Sequence, residues 1–202
     1  GYILWAACMA TRKKKETILI TANKLNQAVE VLERIKYSYQ QLPRWLQPGI
    51  KKFNERAIHF DNGSKILCRA TTADAPRGVS PTIVYCDELA FVQKRIAESF
   101  MIALQPTLSS KDSKLFISST PMNDDDEFAK IWNAANETYD DNGNVIPNGE
   151  GRNGFYPIKA IWSDHPERDA KWEKMFRSSM SEKFFLQEFE CKFVSSDETL
   201  VD

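Results

Sequence analysis

The sequence has few of the residues that form disulfides or structural zinc sites. Its four cysteines, Cys8, Cys68, Cys86 and Cys191, lie far apart without a CxxC pair, and only two histidines accompany them. Zinc sites and disulfide frameworks use clustered cysteines and histidines, so both are disfavoured here. Reduced thiols in a cytosolic compartment are the simpler interpretation, with Cys68 and Cys86 acting as small apolar residues inside predicted strands.

The sequence also lacks an excess of charge and a long apolar run. Its 27 basic and 28 acidic residues give a net charge of −1, so any contact with DNA must come from a local patch. The apolar block at 1–10 precedes the basic residues at 12–15, whereas a signal peptide has its positive charge first and a membrane span needs about 20 apolar residues. The block instead predicts the end of a buried helix that begins upstream, so we expect a fragment of a protein that is not secreted.

The residues that are present predict an α/β domain. The chain has 202 residues, of which 42% are apolar and 27% charged, and this suits one sizeable domain or one with a small appendage. Short apolar strands are predicted at 17–21 and 114–118, and an amphipathic helix is predicted at 24–39 with Asn23 as its N-cap. Helices that alternate with strands favour a mostly parallel sheet flanked by helices.

The spacing of apolar residues further along the chain predicts a hairpin and then several helices. Residues 50–69 predict an antiparallel β-hairpin at the edge of the sheet, with a turn at Asp61-Asn62-Gly63-Ser64. The other predicted elements are helices at 93–104, 127–136, 170–176 and 182–190, a loop at 105–112 and a final strand at 155–162. Aromatic and methionine residues of the last two helices are predicted to be core anchors: Trp172, Met175, Phe176, Phe184, Phe185 and Phe189.

The stretch Thr82–Phe91, TIVYCDELAF, organises the rest of the chain. Its apolar residues read as a strand covered on both faces of a parallel sheet, and Asp87 and Glu88 follow at the carboxyl end, where open α/β sheets bind ligands. In P-loop hydrolases the first acid of such a Walker B pair holds Mg²⁺ and the second polarises the attacking water. The alternative is a solvated acidic turn that leads into the next helix.

Two flanking segments strengthen the catalytic interpretation. Arg77-Gly78 lies in a polar loop just before this strand, where the arginine could reach a phosphate or could simply be a solvated charge. Ser118-Ser119-Thr120 ends the next predicted strand, where hydroxyls could bind a phosphate or its water. The alternative is an ordinary strand end that terminates at a proline.

Taken in order, these motifs resemble one family over nearly the whole chain. They are an apolar helix end, TILITANK, a hairpin with FDNGS, the Arg-Gly loop, YCDELAF, FISSTP, an HPERD turn and QEFECKF. Together they resemble the ATPase domain of the bacteriophage large terminase subunit, the motor that pumps DNA into procapsids. The resemblance implies a P-loop NTPase fold of the RecA/ASCE type, with ATP and Mg²⁺ as cofactors. The implied partners are double-stranded DNA, a portal protein, a small terminase subunit and a homo-oligomeric ring in the host cytoplasm, with no membrane.

The resemblance also implies roles for particular residues. Asp87 would be the Walker B residue that holds Mg²⁺ through water, and Glu88 would be the catalytic carboxylate. Ser118, Ser119 and Thr120 look like the coupling motif that senses the γ-phosphate. Arg77 falls in the loop that supplies an arginine finger to the neighbouring subunit in some terminases.

Two family features are missing from the sequence. It has no G-x-x-x-x-G-K-[ST] phosphate loop, which we expect upstream of Gly1, and no acidic nuclease cluster, which we expect after Asp202. We therefore expect residues 1–194 to form an ATPase domain without its Walker A segment and residues 195–202 to form a linker. Residues 1–202 alone are expected not to hydrolyse ATP.

Two other functions are compatible with parts of this pattern. A superfamily 2 helicase also has acidic and hydroxyl motifs on successive strands, but Asp87-Glu88-Leu89-Ala90 is not a DEAD- or DEAH-type tetrad. A non-catalytic DNA-binding or assembly module could keep the fold without the chemistry, although the presence of both acids argues against such decay.

Overall fold

The computed structural model describes residues 1–11, 13–109 and 112–193, which contain six strands and six α-helices. The strands are β1 (Thr17–Ala22), β2 (Ile50–Asn54), β3 (Ala57–Phe60), β4 (Lys65–Ala70), β5 (Ile83–Asp87) and β6 (Lys114–Ser118). The helices are α1 (Tyr2–Met9), α2 (Leu25–Gln40), α3 (Lys94–Leu108), α4 (Glu127–Asn136), α5 (Ala170–Ser179) and α6 (Glu182–Glu190). Two compact units contain them, one over Gly1–Ser118 and a second that begins at Ser119.

All six strands belong to one mixed sheet in the first unit, in the order β2-β3-β4-β1-β5-β6. Strand β1 pairs in parallel with β4 and β5, and β5 pairs in parallel with β6. Strand β3 pairs in antiparallel fashion with both β2 and β4, and β2 forms the edge of the sheet. The mostly parallel sheet with an antiparallel edge hairpin is therefore confirmed.

The core explains why the central strands read as unbroken apolar runs. Ile18, Leu19 and Ile20 of β1 are fully buried although successive side chains of a strand point to opposite faces. Strand β1 is therefore covered on both faces, as parallel strands usually are. On one face Ile18 and Ile20 share an apolar cluster with Ala28 and Leu32 of α2, and full burial of each such aliphatic side chain stabilises the fold by about 1.5–3 kcal/mol.

Two local predictions in the first unit are wrong. Helix α2 has Lys24 rather than Asn23 as its N-cap, because the backbone N–H of Lys24 donates to the Gln27 side chain at 3.0 Å. Helix α3 continues through Pro106 into the segment predicted to be a loop. This proline lies in the last turn, where the loss of its N–H removes one backbone hydrogen bond near the helix end rather than disrupting the interior.

The first helix of the second unit, α4, is well capped, and the segment after it is irregular. The Asp126 side chain accepts a hydrogen bond from the Ala129 N–H at 2.8 Å and caps α4, which begins at Glu127 as predicted. The strand predicted at 155–162 is wrong, because residues 155–161 have no regular secondary structure. Ile158 is 84% exposed, and Pro157 has no N–H to donate to a neighbouring strand.

Helices α5 and α6 carry an aromatic cluster that sequence analysis predicted only in part. The rings of Trp172 and Phe176 stack at 4.2 Å between centroids, and Phe189 contacts both rings edge-on. Two other predicted anchors are wrong, because Met175 is 58% and Phe184 49% exposed. The predicted linker at 195–202 lies outside the described residues.

The remaining compositional predictions concern thiols and membranes. All four cysteines are free thiols, and Cys68 and Cys86 lie buried in β4 and β5. Burial raises the pKa of the Cys86 thiol to about 11, so this residue is an uncharged core group at neutral pH. None of the helices in the described residues combines the length and the apolar composition that a membrane span requires.

Candidate active site

The carboxyl ends of β5 and β6 bring together a hydrogen-bonded group of three side chains. Strand pairing sets Asp87 opposite Ser118, and Tyr85 lies on the same face of β5 as Asp87 because it is two residues earlier. The Tyr85 hydroxyl donates to Asp87 Oδ1 at 2.9 Å, and the Ser118 hydroxyl donates to the same oxygen at 2.6 Å. The two hydroxyl oxygens are 2.8 Å apart. The carboxylate is thus fixed in orientation by two donors from neighbouring strands.

Electrostatics keep the tyrosine of this group protonated. Burial raises the pKa of the Tyr85 hydroxyl, and the negative charges of Asp87 and Glu88 raise it further, against the opposing effect of its hydrogen bond with Ser118. The hydroxyl therefore remains a donor to Asp87 at neutral pH. The sequence pattern predicted Tyr85 only as a strand residue. Its position two residues before an acid, on the same face of the strand, is the signal that could have identified it.

Glu88 has a backbone conformation that is unusual for a residue with a side chain. Its φ of 54° and ψ of 47° lie in the left-handed region, which costs a non-glycine residue about 1–2 kcal/mol. The Glu88 N–H donates to the Ser118 carbonyl at 2.7 Å, and Leu89 and Ala90 are buried immediately after it. These contacts hold the strained residue in place, and such strain often accompanies functional sites.

Asp87 and Glu88 line a cleft of about 710 Å³, a size typical of small-molecule sites. Its other walls come from the first turn of α1, one side of α2, and Tyr85 and Phe116 of the two strands. The α2 wall adds polar groups, among them Gln27, Glu30, Arg34 and Ser38.

The donor set of this cleft suits magnesium better than a structural metal. In the part of the chain that the structure describes, no group of three or more His, Cys, Asp or Glu side chains could hold a metal ion. Mg²⁺ usually takes only one or two carboxylates and completes its octahedron with water and substrate phosphates. A single oriented carboxylate, Asp87, is compatible with that arrangement.

The predicted hydroxyl motif is divided between the two units. Ser118 ends β6 in the first unit and contacts Asp87, as described above. Ser119 and Thr120 are the first residues of the second unit, and the Ser119 hydroxyl donates to the Thr120 carbonyl at 3.0 Å. Ser118 is therefore the residue of this motif whose hydroxyl belongs to the hydrogen-bonded group with Asp87.

Arg77 lies in an exposed loop and does not line the cleft. Its guanidinium is 3.2 Å from the Asp74 carboxylate, and the two side chains are 71% and 78% exposed. Gly78 has a φ of +74°, which favours glycine and turns the chain directly after the arginine. Beneath the loop, Arg69 Nη1 donates to the carbonyls of Ala75 at 2.8 Å and of Arg77 at 3.3 Å. The loop therefore has a fixed base and a solvent-facing arginine.

Comparisons with known proteins agree on one family. The family model described as "Terminase large subunit, T4likevirus-type, N-terminal" matches residues 3–200. The large terminase of a thermophilic bacteriophage, in complex with ADP, superposes with a TM-score of 0.64 at 12% identity, over 96% of this chain and 44% of that protein. This chain thus spans less than half of that thermophilic phage terminase.

Two further solved structures share the fold. The ATPase domain of the Thermus phage P74-26 large terminase gives a TM-score of 0.60 at 22% identity, over 89% of this chain and 77% of that one. The large terminase of bacteriophage HK97 gives a TM-score of 0.56 at 16% identity, over 88% of this chain and 40% of that protein. These similarities confirm the predicted RecA/ASCE-type fold of a terminase ATPase domain.

Proposed function

Because the chain belongs to the terminase large subunit family, in the N-terminal region of its T4likevirus type, we propose that it couples Mg-ATP hydrolysis to the movement of double-stranded DNA into a procapsid. The observation that carries the proposal is the Asp87 carboxylate, fixed by Tyr85 and Ser118 beside Glu88 in a cleft of about 710 Å³. The thermophilic phage terminase, which shares the fold, has been solved with ADP and with ATP-gamma-S. A nucleotide is therefore the ligand we assign to this cleft.

Each residue of the cleft has a distinct part in this proposal. Asp87 would hold Mg²⁺ through water, and the bound ion would neutralise charge on the β- and γ-phosphates. The Tyr85 and Ser118 hydroxyls keep the carboxylate in the orientation that such a water requires. Glu88 is the base that orients the attacking water and takes its proton. Ser119 and Thr120, directly after Ser118, would sense the γ-phosphate and connect hydrolysis to movement.

The proposal also needs a phosphate-binding loop, which the 202 residues do not contain. The exposure and pairing of strand β6 suggest where the segment that carries this loop would join the sheet. The sequence of β6, KLFIS, is mostly apolar, yet its Phe116 is 38% exposed. Among the described strands β6 pairs only with β5, so its other edge is open. We infer that a further strand of the same protein pairs with the open edge of β6 and brings the loop to the first turn of α1. This strand and the loop would add the Walker A segment that the ATPase domain expected over 1–194 lacks.

The family suggests the partners of this activity. We propose that the protein acts as a homo-oligomeric ring around double-stranded DNA, with a portal protein and a small terminase subunit, during phage assembly in the host cytoplasm. Arg77 would extend from one subunit toward the nucleotide of the next. Its exposed side chain and the fixed base of its loop support this role.

Replacement of Asp87 tests the proposed function directly. In the protein that contains this chain, Asp87→Asn is expected to weaken Mg²⁺-dependent ATP binding by about 10- to 100-fold, because a neutral amide cannot compensate the charge of the hydrated ion. Binding is measured with a fluorescent ATP analogue, with and without Mg²⁺. Asp124→Asn is the matched control, since Asp124 is exposed and the same chemical change is made elsewhere. Unchanged Mg²⁺-dependent binding by Asp87→Asn would contradict the assignment.

Removal of the tyrosine hydroxyl tests how the carboxylate is oriented. Tyr85→Phe takes away one of the two donors to Asp87 Oδ1 without changing the ring. Loss of an outer partner typically lowers metal affinity by about 10-fold or more, so the Mg²⁺ concentration for half-maximal hydrolysis is expected to rise by about 10-fold. The readout is steady-state phosphate release against Mg²⁺ concentration. Tyr37→Phe, at an exposed tyrosine of α2, is expected to behave like the wild type. If both variants need the same Mg²⁺ concentration for half-maximal hydrolysis, Tyr85 does not orient Asp87 for metal binding.

A further inference from the structure

A second concave surface lies at the antiparallel edge of the sheet, on residues to which nothing above assigns a role in catalysis. We call it the basic groove and define it by its polar lining residues: Lys52, Asn54, Arg56, Arg69 and Thr72. It encloses about 490 Å³ between β2, β4 and the segment that follows β4. Its remaining lining residues are apolar.

The charge of the basic groove is of one sign. Three of its lining side chains are cationic, and none of its lining residues is a carboxylate. Within the described residues, neither Lys52 nor Arg56 forms an ion pair, and both are exposed. The nearest acid in sequence is Glu55, in the turn between β2 and β3, and it does not line the groove. This concentration of positive charge contrasts with a whole chain of net charge −1.

Neighbouring cations extend the positive field beyond the groove. His59, on β3, has a lowered pKa, caused first by burial and then by the positive charges of Lys52 and Lys65. His59 is therefore neutral at physiological pH and adds no charge of its own. Strand β2 also places Lys51 next to Lys52 on an exposed strand. The edge of the sheet thus presents several lysines and arginines to solvent.

The groove has the chemistry for a phosphate backbone rather than for bases. Proteins that hold single strands stack the bases on aromatic side chains, and the lining of the basic groove includes no aromatic residue. Lysine and arginine with asparagine and threonine are the side chains that contact phosphate and sugar oxygens. The Arg69 side chain is already held in place before any ligand binds, because its Nη1 donates to two carbonyls of the loop 71–81.

We propose that the basic groove contacts the phosphodiester backbone of double-stranded DNA without reading its sequence. The proposal rests on the proposed function only in taking duplex DNA as the partner, and it assigns that partner to one surface. Each neutralised phosphate releases counterions, so binding through the groove must depend on salt.

The test compares two double variants that remove the same charge. Lys52→Ala/Arg56→Ala removes two groove cations, and Lys171→Ala/Lys174→Ala removes two exposed lysines of α5. Binding of a fluorescent random-sequence duplex is measured by anisotropy in the protein that contains this chain, between about 50 and 200 mM KCl, the range in which phosphate contacts lose much of their affinity. Arg69 is left unchanged because it also holds the loop that carries Arg77.

The groove variant is expected to bind about 10-fold more weakly at the lowest salt concentration. Its slope of log K against log salt is expected to fall by about 2, since each lost phosphate contact contributes about 0.9. The control variant should match the wild type in both quantities. Each single groove variant is expected to lower the slope by about 1, which provides a second measurement if the double variant folds poorly by circular dichroism.

Three results of the duplex titration would overturn the proposal. They are wild-type affinity and slope in the groove variant, equal weakening in the control variant, and no duplex binding by the wild-type protein at the lowest salt. Displacement of the duplex by polyglutamate as effectively as by unlabelled duplex would also overturn it, because the groove would then be a site for acidic proteins. ATP binding and hydrolysis are measured separately, so their failure would count against the proposed function and leave a positive groove result intact.

Discussion

Replacement of Glu88 by glutamine is expected to leave ATP bound and to lower its hydrolysis by about 100-fold or more, the usual scale for loss of a general base. Glutamine keeps the size and hydrogen-bonding reach of the side chain but cannot take a proton from water. The backbone is expected to tolerate the change, because the N–H at position 88 remains bonded to the Ser118 carbonyl and the left-handed strain is similar for the two side chains.

The measurement is steady-state phosphate release by the protein that contains this chain, together with binding of a fluorescent ATP analogue. Glu30→Gln is the matched control, since Glu30 lines the same cleft from α2 and is not assigned to the chemistry. Hydrolysis by Glu88→Gln at the wild-type rate, with Glu30→Gln also unchanged, would show that the base is elsewhere.

Replacement of Arg77 by alanine is expected to abolish the hydrolysis that assembly stimulates while leaving ATP binding by isolated subunits nearly unchanged. An arginine finger stabilises charge on the transferred phosphoryl group and contributes about 10³–10⁵ to the rate. The arginine does not line the cleft of its own chain and points to solvent beside Asp74, so it has no part in binding within one subunit. Arg95→Ala, at an exposed arginine of α3, is the control.

Mixing experiments separate action between subunits from action within one. A ring that contains both Arg77→Ala and Glu88→Gln subunits has some interfaces with an intact glutamate on one side and an intact arginine on the other. Such mixtures are expected to recover part of the stimulated phosphate release. If mixed rings form and recover nothing, or if Arg77→Ala alone keeps full stimulated turnover, Arg77 is a surface charge and not a finger.

Local sequence patterns were sufficient for most of the first unit. Strands β1 and β5 were predicted because both faces of a central parallel strand are covered and the apolar run is therefore unbroken. The antiparallel hairpin followed from the turn at 61–64, and α4 begins at its predicted residue because Asp126 caps it. The errors in the second unit came where burial was assumed. The pattern at 155–162 suggested a strand, but a strand forms only with a partner, and Pro157 and the exposed Ile158 have none in the described residues.

The sequence by itself determined that two acids follow a buried strand, since that is a matter of neighbouring residues and of their alternation. Only the tertiary structure decided how Asp87 is held, because Ser118 is 31 residues away and reaches it through the register of β5 and β6. The same holds for the left-handed backbone at Glu88, which the Ser118 carbonyl fixes. The basic groove also depends on strand pairing, which brings Lys52 of β2 and Arg56 of the following turn beside Arg69 of β4, although the chain as a whole has almost no net charge. The order of neighbouring residues can be read from the sequence, whereas the distances between residues on separate strands are set by strand pairing and packing.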